Sequence, residues 1–364
     1  MIPKTSFAMV QTARRTLEGR DFPIPDVRDD DAILKVEACG ICGSDCEQFE
    51  GELPSPWPVI PGHEPLGRIA AIGDGAARRW GVDVGDRVAV ETLLACQRCP
   101  VCRSGEYQRC PQLRVYSLIS AEDAPALWGA YSQYMYLAPS SILHRMDPSI
   151  PPELAVLFNP LAAGHRWAVD IPQTRPGDSV LVMGPGQRGL ASVIACKEAN
   201  AGQVIVSGLE ADAKKLEVAR SFGADLTVDV QNEDLADRVL EATDGRGPDV
   251  VVDVSPYATQ PILDAIELVA RGGTIVLAGI KGSNTVSGLA SDTIVGKEIT
   301  IKGATGATSA AYRAAIATIE AGRVPLAQMH THEFPIERAE LAIRTLAREI
   351  PGEESIHSCL IPEH

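Results

Sequence analysis

The sequence has little positive charge and no long apolar run. Its 33 Lys and Arg residues are outnumbered by 48 Asp and Glu residues, and the formal net charge is -15. Because nucleic-acid phosphates are bound through basic surfaces, this charge argues against a nucleic-acid partner. No stretch approaches the roughly 18 apolar residues of a membrane span, and no N-terminal run resembles a signal peptide. We therefore expect a cytoplasmic protein without a membrane partner.

Disulfides are also not expected, although the chain contains nine cysteines. The reducing cytoplasm disfavours disulfide bonds, and clustered cysteines in such a protein more often bind metal. With 364 residues, of which 45% are hydrophobic, the chain is long enough to fill the cores of two domains.

The middle third of the chain alternates short β-branched runs with helix-like stretches. The runs are almost continuously apolar, as expected for strands that are covered on both faces. Helical crossovers between them predict an α/β fold with a doubly wound parallel sheet. The predicted strands are SVLVMG (179–184), QVIVSG (203–208), DLTVDV (225–230), DVVVDV (249–254), GTIVLAG (273–279) and EITIKG (298–303).

The first part of the chain has a different character. Strand-like fragments such as AILKVEACG and GDRVAVE are separated by Gly and Pro turns, which indicates an irregular β-rich domain. We predict this domain at 1–158, a dinucleotide-type domain at 159–303, and a C-terminal segment, 304–364, that rejoins the first domain.

Four cysteines follow one another in the pattern C-x2-C-x2-C-x7-C. Zinc prefers tetrahedral thiolate ligands, and short spacings let one loop wrap the ion. An iron–sulfur cluster uses a similar thiolate set, and four unrelated free thiols are the third alternative. Spacing and context favour a structural zinc, closed to substrate, in a lobe at about 91–115. Its ligands would be Cys96, Cys99, Cys102 and Cys110.

A second group of metal-binding side chains lies in CGICGSD (39–45) and PGHEPLG (61–67). A zinc with three or fewer firm protein ligands keeps an open position for water or an alcohol oxygen. Each segment alone is weak evidence, because a lone His in a turn is usually structural. Together the segments supply Cys42, Asp45, His63 and Glu64.

The chain resembles the zinc-dependent medium-chain alcohol and polyol dehydrogenases of the sorbitol and threonine dehydrogenase type. The resemblance lies in these two segments, the four-cysteine lobe and the dinucleotide-type domain, which follow one another in this order. The resemblance extends over essentially the whole chain, to THEFPIERAELA (331–342). It implies a GroES-like β-rich catalytic domain, a Rossmann domain, and two zinc ions per chain, one catalytic and one structural. It also implies oxidation of a small-molecule alcohol and assembly as a homo-dimer or homo-tetramer.

The resemblance assigns a role to each residue of the second group. Cys42 and His63 would bind the catalytic zinc, and Asp45 would orient His63 from behind. Glu64 would lie behind the metal and could enter its coordination sphere. Ser44 would take the alcohol proton.

The third zinc ligand departs from the family pattern. Polyol-type members have a carboxylate before Pro-Leu, whereas this chain has Asn159 in VLFNPLAAGHRW. An amide oxygen binds zinc more weakly and removes one negative charge. Glu64 could compensate by coordinating directly, or a water could bridge Asn159 to the ion. The alternative is that Asn159 only caps a helix and the zinc is weak or absent; we expect weakened zinc binding.

A second departure is Glu47, which occupies the position where a His commonly ends the proton relay. A carboxylate can pass protons on, because the relay requires only a titratable or hydroxylic group. Glu47 could equally be a solvated surface residue, in which case the relay would end at Ser44 and water.

The segment VLVMGPGQRGLA (180–191) predicts a strand, a glycine loop and the start of a helix. Gly184, Gly186 and Gly189 would permit a tight turn, close approach of a pyrophosphate, and packing of helix on strand. A lone glycine motif is weak evidence, but here the strand, helix and following strand are all predicted.

Two positions are candidates for the residue that contacts the adenosine ribose. Counting forward from Gly184 leads to Gly208, which would leave room for the 2'-phosphate of NADP. Counting back from the following helix leads to Glu210, which would bind the ribose of NAD and repel that phosphate. Lys214 and Lys215 could attract a phosphate. We favour NAD.

The sequence thus predicts a zinc-dependent oxidoreductase that transfers a hydride between a small alcohol or polyol and a nicotinamide cofactor. Two alternatives stay open. One is a zinc-independent reductase on the same fold, and the other is a non-catalytic NAD(P)-binding protein with a degraded metal site, an interpretation that Asn159 favours.

Overall fold

The computed structural model describes residues 2–363 and divides the chain into two compact units. The first unit consists of Met1–Asn159, Thr308–Ala321 and His330–His364, and the second of Pro160–Ala307 and Gly322–Met329. The C-terminal segment predicted at 304–364 is therefore divided between the two units.

Strands form the sheets of the first unit and the central sheet of the second. They are β1 (Thr5–Ala13), β2 (Thr16–Pro23), β3 (Ala32–Ile41), β4 (Pro65–Ile72), β5 (Arg87–Val90), β6 (Leu93–Leu94), β7 (Arg114–Val115), β8 (Tyr134–Leu137), β9 (Leu143–Arg145), β10 (Ser179–Met183), β11 (Gln203–Gly208), β12 (Leu226–Asp229), β13 (Val250–Asp253), β14 (Thr274–Leu277), β15 (Thr300–Gly303), β16 (His330–Pro335) and β17 (His357–Ile361).

The helices are mostly short. They are α1 (Gly43–Phe49), α2 (Asp74–Trp80), α3 (Pro100–Arg103), α4 (Pro152–Ala155), α5 (Phe158–His165), α6 (Gln187–Glu198), α7 (Ala213–Ser221), α8 (Leu235–Ala242), α9 (Gln260–Leu268), α10 (Ser291–Lys297), α11 (Ser309–Ala321) and α12 (Ala339–Leu346). Short 3-10 turns lie at Tyr107–Arg109, Glu210–Asp212, Leu326–Gln328 and Ile336–Arg338.

The sheet of the second unit runs in the order β12-β11-β10-β13-β14-β15, and all of its pairings are parallel. This is the strand order of the doubly wound dinucleotide-binding fold, in which the order reverses between β10 and β13. Its core contains the fully buried apolar side chains Leu181, Ile205, Val228, Val251 and Ile275, one from each of the strands β10 to β14. The predicted α/β fold class and its parallel sheet are confirmed.

The main sheet of the first unit runs in the order β16-β17-β3-β4-β5-β9, and β8 also pairs with β3. Strands β3 and β4 are antiparallel, with Cys39 opposite Pro65. The residues that follow β3 and those that precede β4 therefore meet at one end of the sheet, and these are the two segments that carry Cys42 and His63.

A small lobe interrupts the first unit after β5. Strands β6 and β7 pair with each other and enclose α3 and a 3-10 turn. Its apolar cluster contains Ala95, Tyr107 and Cys110, with the other three cysteines of the motif packed against it. Within residues 2–363, no helix has the length and apolar character needed to cross a membrane.

Candidate metal centres and dinucleotide loop

The four cysteines of the lobe converge on one point. Their sulfur atoms all lie within 4.8 Å of one another, and Sγ of Cys96 lies 3.8 Å from Sγ of Cys102. Four thiolates at about 2.3 Å from a zinc ion in a tetrahedron are separated by about 3.8 Å. The donor set and its spacing therefore fit a structural zinc.

Backbone N–H groups favour the thiolate form in this lobe. Hydrogen bonds from the backbone of Arg98 and Cys99 lower the pKa of Cys96 to about 6. Burial and the neighbouring thiols instead raise the pKa of Cys102 to about 12. Because thiolates packed this closely repel one another, a bound cation would relieve the cost of ionising all four.

The second donor set lies where β3 and β4 meet. Sγ of Cys42 is 3.2 Å from Nε2 of His63, and Oγ of Ser44 is 2.6 Å from that sulfur and 3.3 Å from that nitrogen. Cys42 immediately precedes α1, whose second residue is Ser44. The thiol, the imidazole and the hydroxyl thus face a common point.

Asp45 lies on the opposite side of the imidazole. Its Oδ1 is 3.3 Å from Nδ1 of His63, and its Oδ2 accepts a hydrogen bond from the backbone N–H of Cys42 at 2.9 Å. Burial lowers the pKa of His63, but the negative charges of Asp45 and Cys42 outweigh this effect, and the pKa is raised well above its ordinary value. The field that holds a proton on this ring also attracts a cation.

Glu64 supplies a carboxylate on the metal side of the ring. Its Oε1 is 3.9 Å from Nε2 of His63, and its side chain is fully buried. A Cβ atom on Gly40 would come within 2.3 Å of Oε2 of Glu64, so only glycine leaves room for this carboxylate. Thiolate, imidazole and carboxylate are zinc ligands, and the residues present fit a catalytic zinc.

Asn159 is buried and held by two hydrogen bonds. Its Nδ2 donates to Oγ1 of Thr92 at 3.2 Å and to the hydroxyl of Tyr312 at 3.1 Å. Thr92 in turn donates to the backbone carbonyl of His63 at 2.7 Å. A helix cap accepts from its own backbone, whereas this amide nitrogen bonds to residues from two other parts of the chain. These bonds tie Asn159 to the segment that carries His63.

Glu47 is buried in α1, with 7% of its surface exposed. The alternative that it is a solvated surface residue is therefore wrong. It lies three residues after Ser44, on the same side of the helix.

The glycine loop follows β10, at the point where the strand order reverses. Gly184 has a φ of +105°, which only glycine adopts readily. A Cβ atom on Gly189 would lie 1.9 Å from the carbonyl oxygen of Gly184, so the helix can approach the strand only with glycine here. Gly186 is the N-cap residue of α6. The loop and helix start have the form of a pyrophosphate site.

Both candidate ribose positions lie just beyond this loop. Gly208 is the last residue of β11, and Glu210 is the exposed first residue of the following 3-10 turn. The ammonium group of Lys215 lies 3.6 Å from the carboxylate of Asp212.

Sequence reasoning missed two groups of side chains. Thr92 and Tyr312, the partners of Asn159, carry no local motif. At the carboxyl end of β13, Asp253 is fully buried and lies 2.7 Å from Nζ of Lys281. The sequence did contain a signal for this second pair. Asp253 is an acidic residue at the end of a parallel strand, beside the point where the strand order reverses.

The chain combines a metal-type donor set beside a serine hydroxyl with a sheet of the dinucleotide-binding order, a combination typical of metal- and dinucleotide-dependent oxidoreductases. Comparisons with known proteins lead to the same class. A family model described as an alcohol dehydrogenase GroES-like domain matches residues 28–148, and one described as a zinc-binding dehydrogenase matches residues 189–321.

Individual relatives extend this match over the whole chain. The "Probable alcohol dehydrogenase" of Mycobacterium tuberculosis is 46% identical over 360 residues, 98% of each chain. Erythritol/L-threitol dehydrogenase of Mycolicibacterium smegmatis is 31% identical over 99% of each chain. The crystal structure of an alcohol dehydrogenase from Thermotoga maritima has a TM-score of 0.88 at 25% identity, and the match covers 99% of this chain and 100% of that one. The chain therefore belongs to the zinc-dependent medium-chain dehydrogenase family, whose members exchange a hydride between an alcohol and a nicotinamide cofactor.

Proposed function

We propose that this enzyme oxidises a small polar alcohol or polyol to the ketone or aldehyde, with NAD as hydride acceptor and with two zinc ions per chain. The observation that carries the proposal is the approach of Cys42 to His63 beside the hydroxyl of Ser44, with the carboxylate of Glu64 3.9 Å from the same imidazole nitrogen. The four-cysteine lobe would hold the second, structural zinc.

Each residue of the site has a separate task. Cys42, His63 and Glu64 would hold the zinc, which would supply Lewis acidity toward an alcohol oxygen, and a bound nicotinamide cofactor would supply the hydride acceptor. Ser44, which is half-buried, receives the hydroxyl proton, because its Oγ lies beside both Cys42 and His63. Glu47, one turn further along α1, is the group to which Ser44 passes the proton.

Charge near the end of β11 supports NAD rather than NADP. Glu210 and Asp212 lie in the turn that follows this strand, and Asp229 lies opposite Gly208 on β12. A 2'-phosphate placed here would meet these carboxylates. The positive charge of Lys215 is already engaged by Asp212.

Self-association is part of the proposal. Strand β15 pairs with β14 and ends the sheet of the second unit. Ile301 on this strand is 39% exposed, and Val295 on α10 just before it is 75% exposed. An exposed edge strand with apolar neighbours supports pairing between two copies of the chain.

The many thiols required for metal binding support a cytoplasmic location.

The test is elemental analysis of zinc after purification without added metal, in the wild type, in Asn159→Ala and in Asn232→Ala. Asn232 is an exposed residue of the second unit and serves as the matched control. We expect close to two zinc ions per wild-type chain, NAD reduction with an alcohol panel, and an unchanged control. A fall toward one zinc in Asn159→Ala alone assigns Asn159 to the catalytic site.

About one zinc per wild-type chain, held by the cysteine lobe, would overturn the proposal. A chelator-insensitive reduction of activated double bonds would then favour the zinc-independent reductase. Saturable cofactor binding without turnover would favour a non-catalytic protein.

A further inference from the structure

A buried carboxylate at the base of the four-cysteine lobe has three hydrogen-bonding neighbours. Glu91 follows β5 and is fully buried. Its Oε2 accepts from the hydroxyl of Tyr107 at 2.6 Å, and its Oε1 accepts from Oγ of Ser309 at 2.5 Å. Nε2 of His144 lies 2.8 Å from the same Oε1. Only a carboxylate offers enough acceptor capacity for three converging donors, and an amide would present N–H groups to at least one of them.

Tyr107 connects this carboxylate to the cysteine lobe. It lies in the 3-10 turn before Cys110, and the backbone N–H of Cys110 donates to its carbonyl at 3.0 Å. Its ring is part of the apolar cluster of the lobe. Burial and the charge of Glu91 raise the pKa of Tyr107 far above its ordinary value, so that its hydroxyl remains a donor.

Two short paths lead from Glu91 to the catalytic donor set. Along the chain, the next residue is Thr92, which bonds to the carbonyl of His63 and to the amide of Asn159. Across the core, the ring of His144 stacks on Tyr312, with 5.6 Å between centroids, and the hydroxyl of Tyr312 accepts from Asn159. Both paths end on the same amide group.

We propose that Glu91 is a positioning residue that couples the four-cysteine lobe to the catalytic metal site. By holding Thr92 and the His144–Tyr312 stack in place, it fixes the amide of Asn159 and the backbone of His63, and the folded lobe holds Glu91 through Tyr107. The inference rests on the proposed function, because it requires a metal at Cys42 and His63.

The test compares Tyr107→Phe with Tyr136→Phe. Both substitutions remove a tyrosine hydroxyl that donates to a buried carboxylate, since Tyr136 donates to Asp31 at 3.0 Å. Zinc release from the holoenzyme is followed with a chelating dye. The kinetic phase of release that Cys42→Ser removes comes from the catalytic site and is called the catalytic phase. We expect Tyr107→Phe to speed that phase about tenfold and to lower kcat more than it changes KM. Tyr136→Phe should change neither.

Ser309→Ala removes a different bond to Glu91, outside the lobe, and should speed the catalytic phase in the same direction. Cys99→Ser, which removes one of the four thiolates of the lobe, should also speed the catalytic phase. The double variant of Cys99→Ser and Tyr107→Phe should release zinc no faster than the faster of the two single variants. Additive effects in the double variant would overturn the coupling. Equal release rates in the wild type, Tyr107→Phe and Ser309→Ala would also overturn it. Either result would leave the proposed function intact. A wild-type chain with no catalytic phase would overturn both.

Discussion

Nδ1 of His63 lies 3.3 Å from the buried carboxylate of Asp45, while Nε2 of the same ring lies 3.2 Å from the sulfur of Cys42. A proton on Nδ1 is therefore directed at Asp45, and the lone pair of Nε2 points to the donor set. Which nitrogen binds a metal is set by the hydrogen bond that the other one makes.

Asp45→Asn should weaken zinc binding at Cys42 and His63 by roughly ten- to hundredfold. The amide retains the shape of the side chain but removes the charge that orients and polarises the imidazole. Competition with a chelator of known affinity measures the effect, and Asp74→Asn, at an exposed position, is the control. An unchanged affinity would mean that Asp45 is not an orienting residue.

Two glycines of the dinucleotide loop should respond differently to alanine. In Gly189→Ala the new methyl group would meet the carbonyl oxygen of Gly184, so both the stability of the second unit and cofactor binding should fall. At Gly186 nothing lies within 4 Å of the added Cβ, so Gly186→Ala should weaken cofactor binding and leave the thermal midpoint nearly unchanged. NADH fluorescence titration and thermal unfolding separate the two outcomes. Equal binding by Gly186→Ala and wild type would argue against a pyrophosphate at this loop.

Glu210→Ala should lower the preference for NAD over NADP by about tenfold, equivalent to about 1.4 kcal/mol. The substitution removes a ribose ligand and a charge that repels the 2'-phosphate. The ratio of kcat/KM for the two cofactors measures the change. Glu217→Ala, an exposed acidic residue on α7, should leave the ratio as it is. If both variants keep the wild-type ratio, the ribose is held elsewhere.

His357 should make the stability of the protein depend on pH. Burial and the neighbouring His330 lower the pKa of His357 to about 3. The folded state therefore keeps it neutral, whereas the unfolded chain takes up a proton below about pH 6.5. Its contribution is complete above that pH and is lost as the pH falls toward 3, by about 1.4 kcal/mol per pH unit.

His357→Asn should flatten this dependence. Between pH 7 and 5 the wild type should lose about 2 kcal/mol more of its free energy of unfolding than the variant. Urea denaturation at the two pH values provides the measurement. Parallel losses in the two proteins would show that His357 is not held neutral.

The sheet of the second unit could be predicted closely, because each of its strands is a local apolar run between turn residues. All six predicted strands are present, and the VVVD strand, β13, is buried along its whole length. The glycine loop could also be predicted from a single short segment. What could be predicted from short segments concerned strands and turns rather than side-chain contacts.

The bonds of Asn159 could not be predicted in this way. Its partners Thr92 and Tyr312 are distant in the chain, and only the fold of the first unit brings them next to Asn159. The burial of Glu47 was left open for a related reason: whether a charged residue in a short helix is buried depends on its neighbours from other elements.

Strand β17 is synthesised after every other strand and helix described above, yet it lies between β16 and β3 in the sheet. Until it is made, Cys39, Gly40 and Ile41 of β3 lack their partners Leu360, Cys359 and Ser358 on that side. An open strand edge of this kind can pair with other chains while a protein emerges from the ribosome. Because Cys42 follows this edge directly, the end of the strand that leads to Cys42 is paired on both sides only after β17 has been inserted.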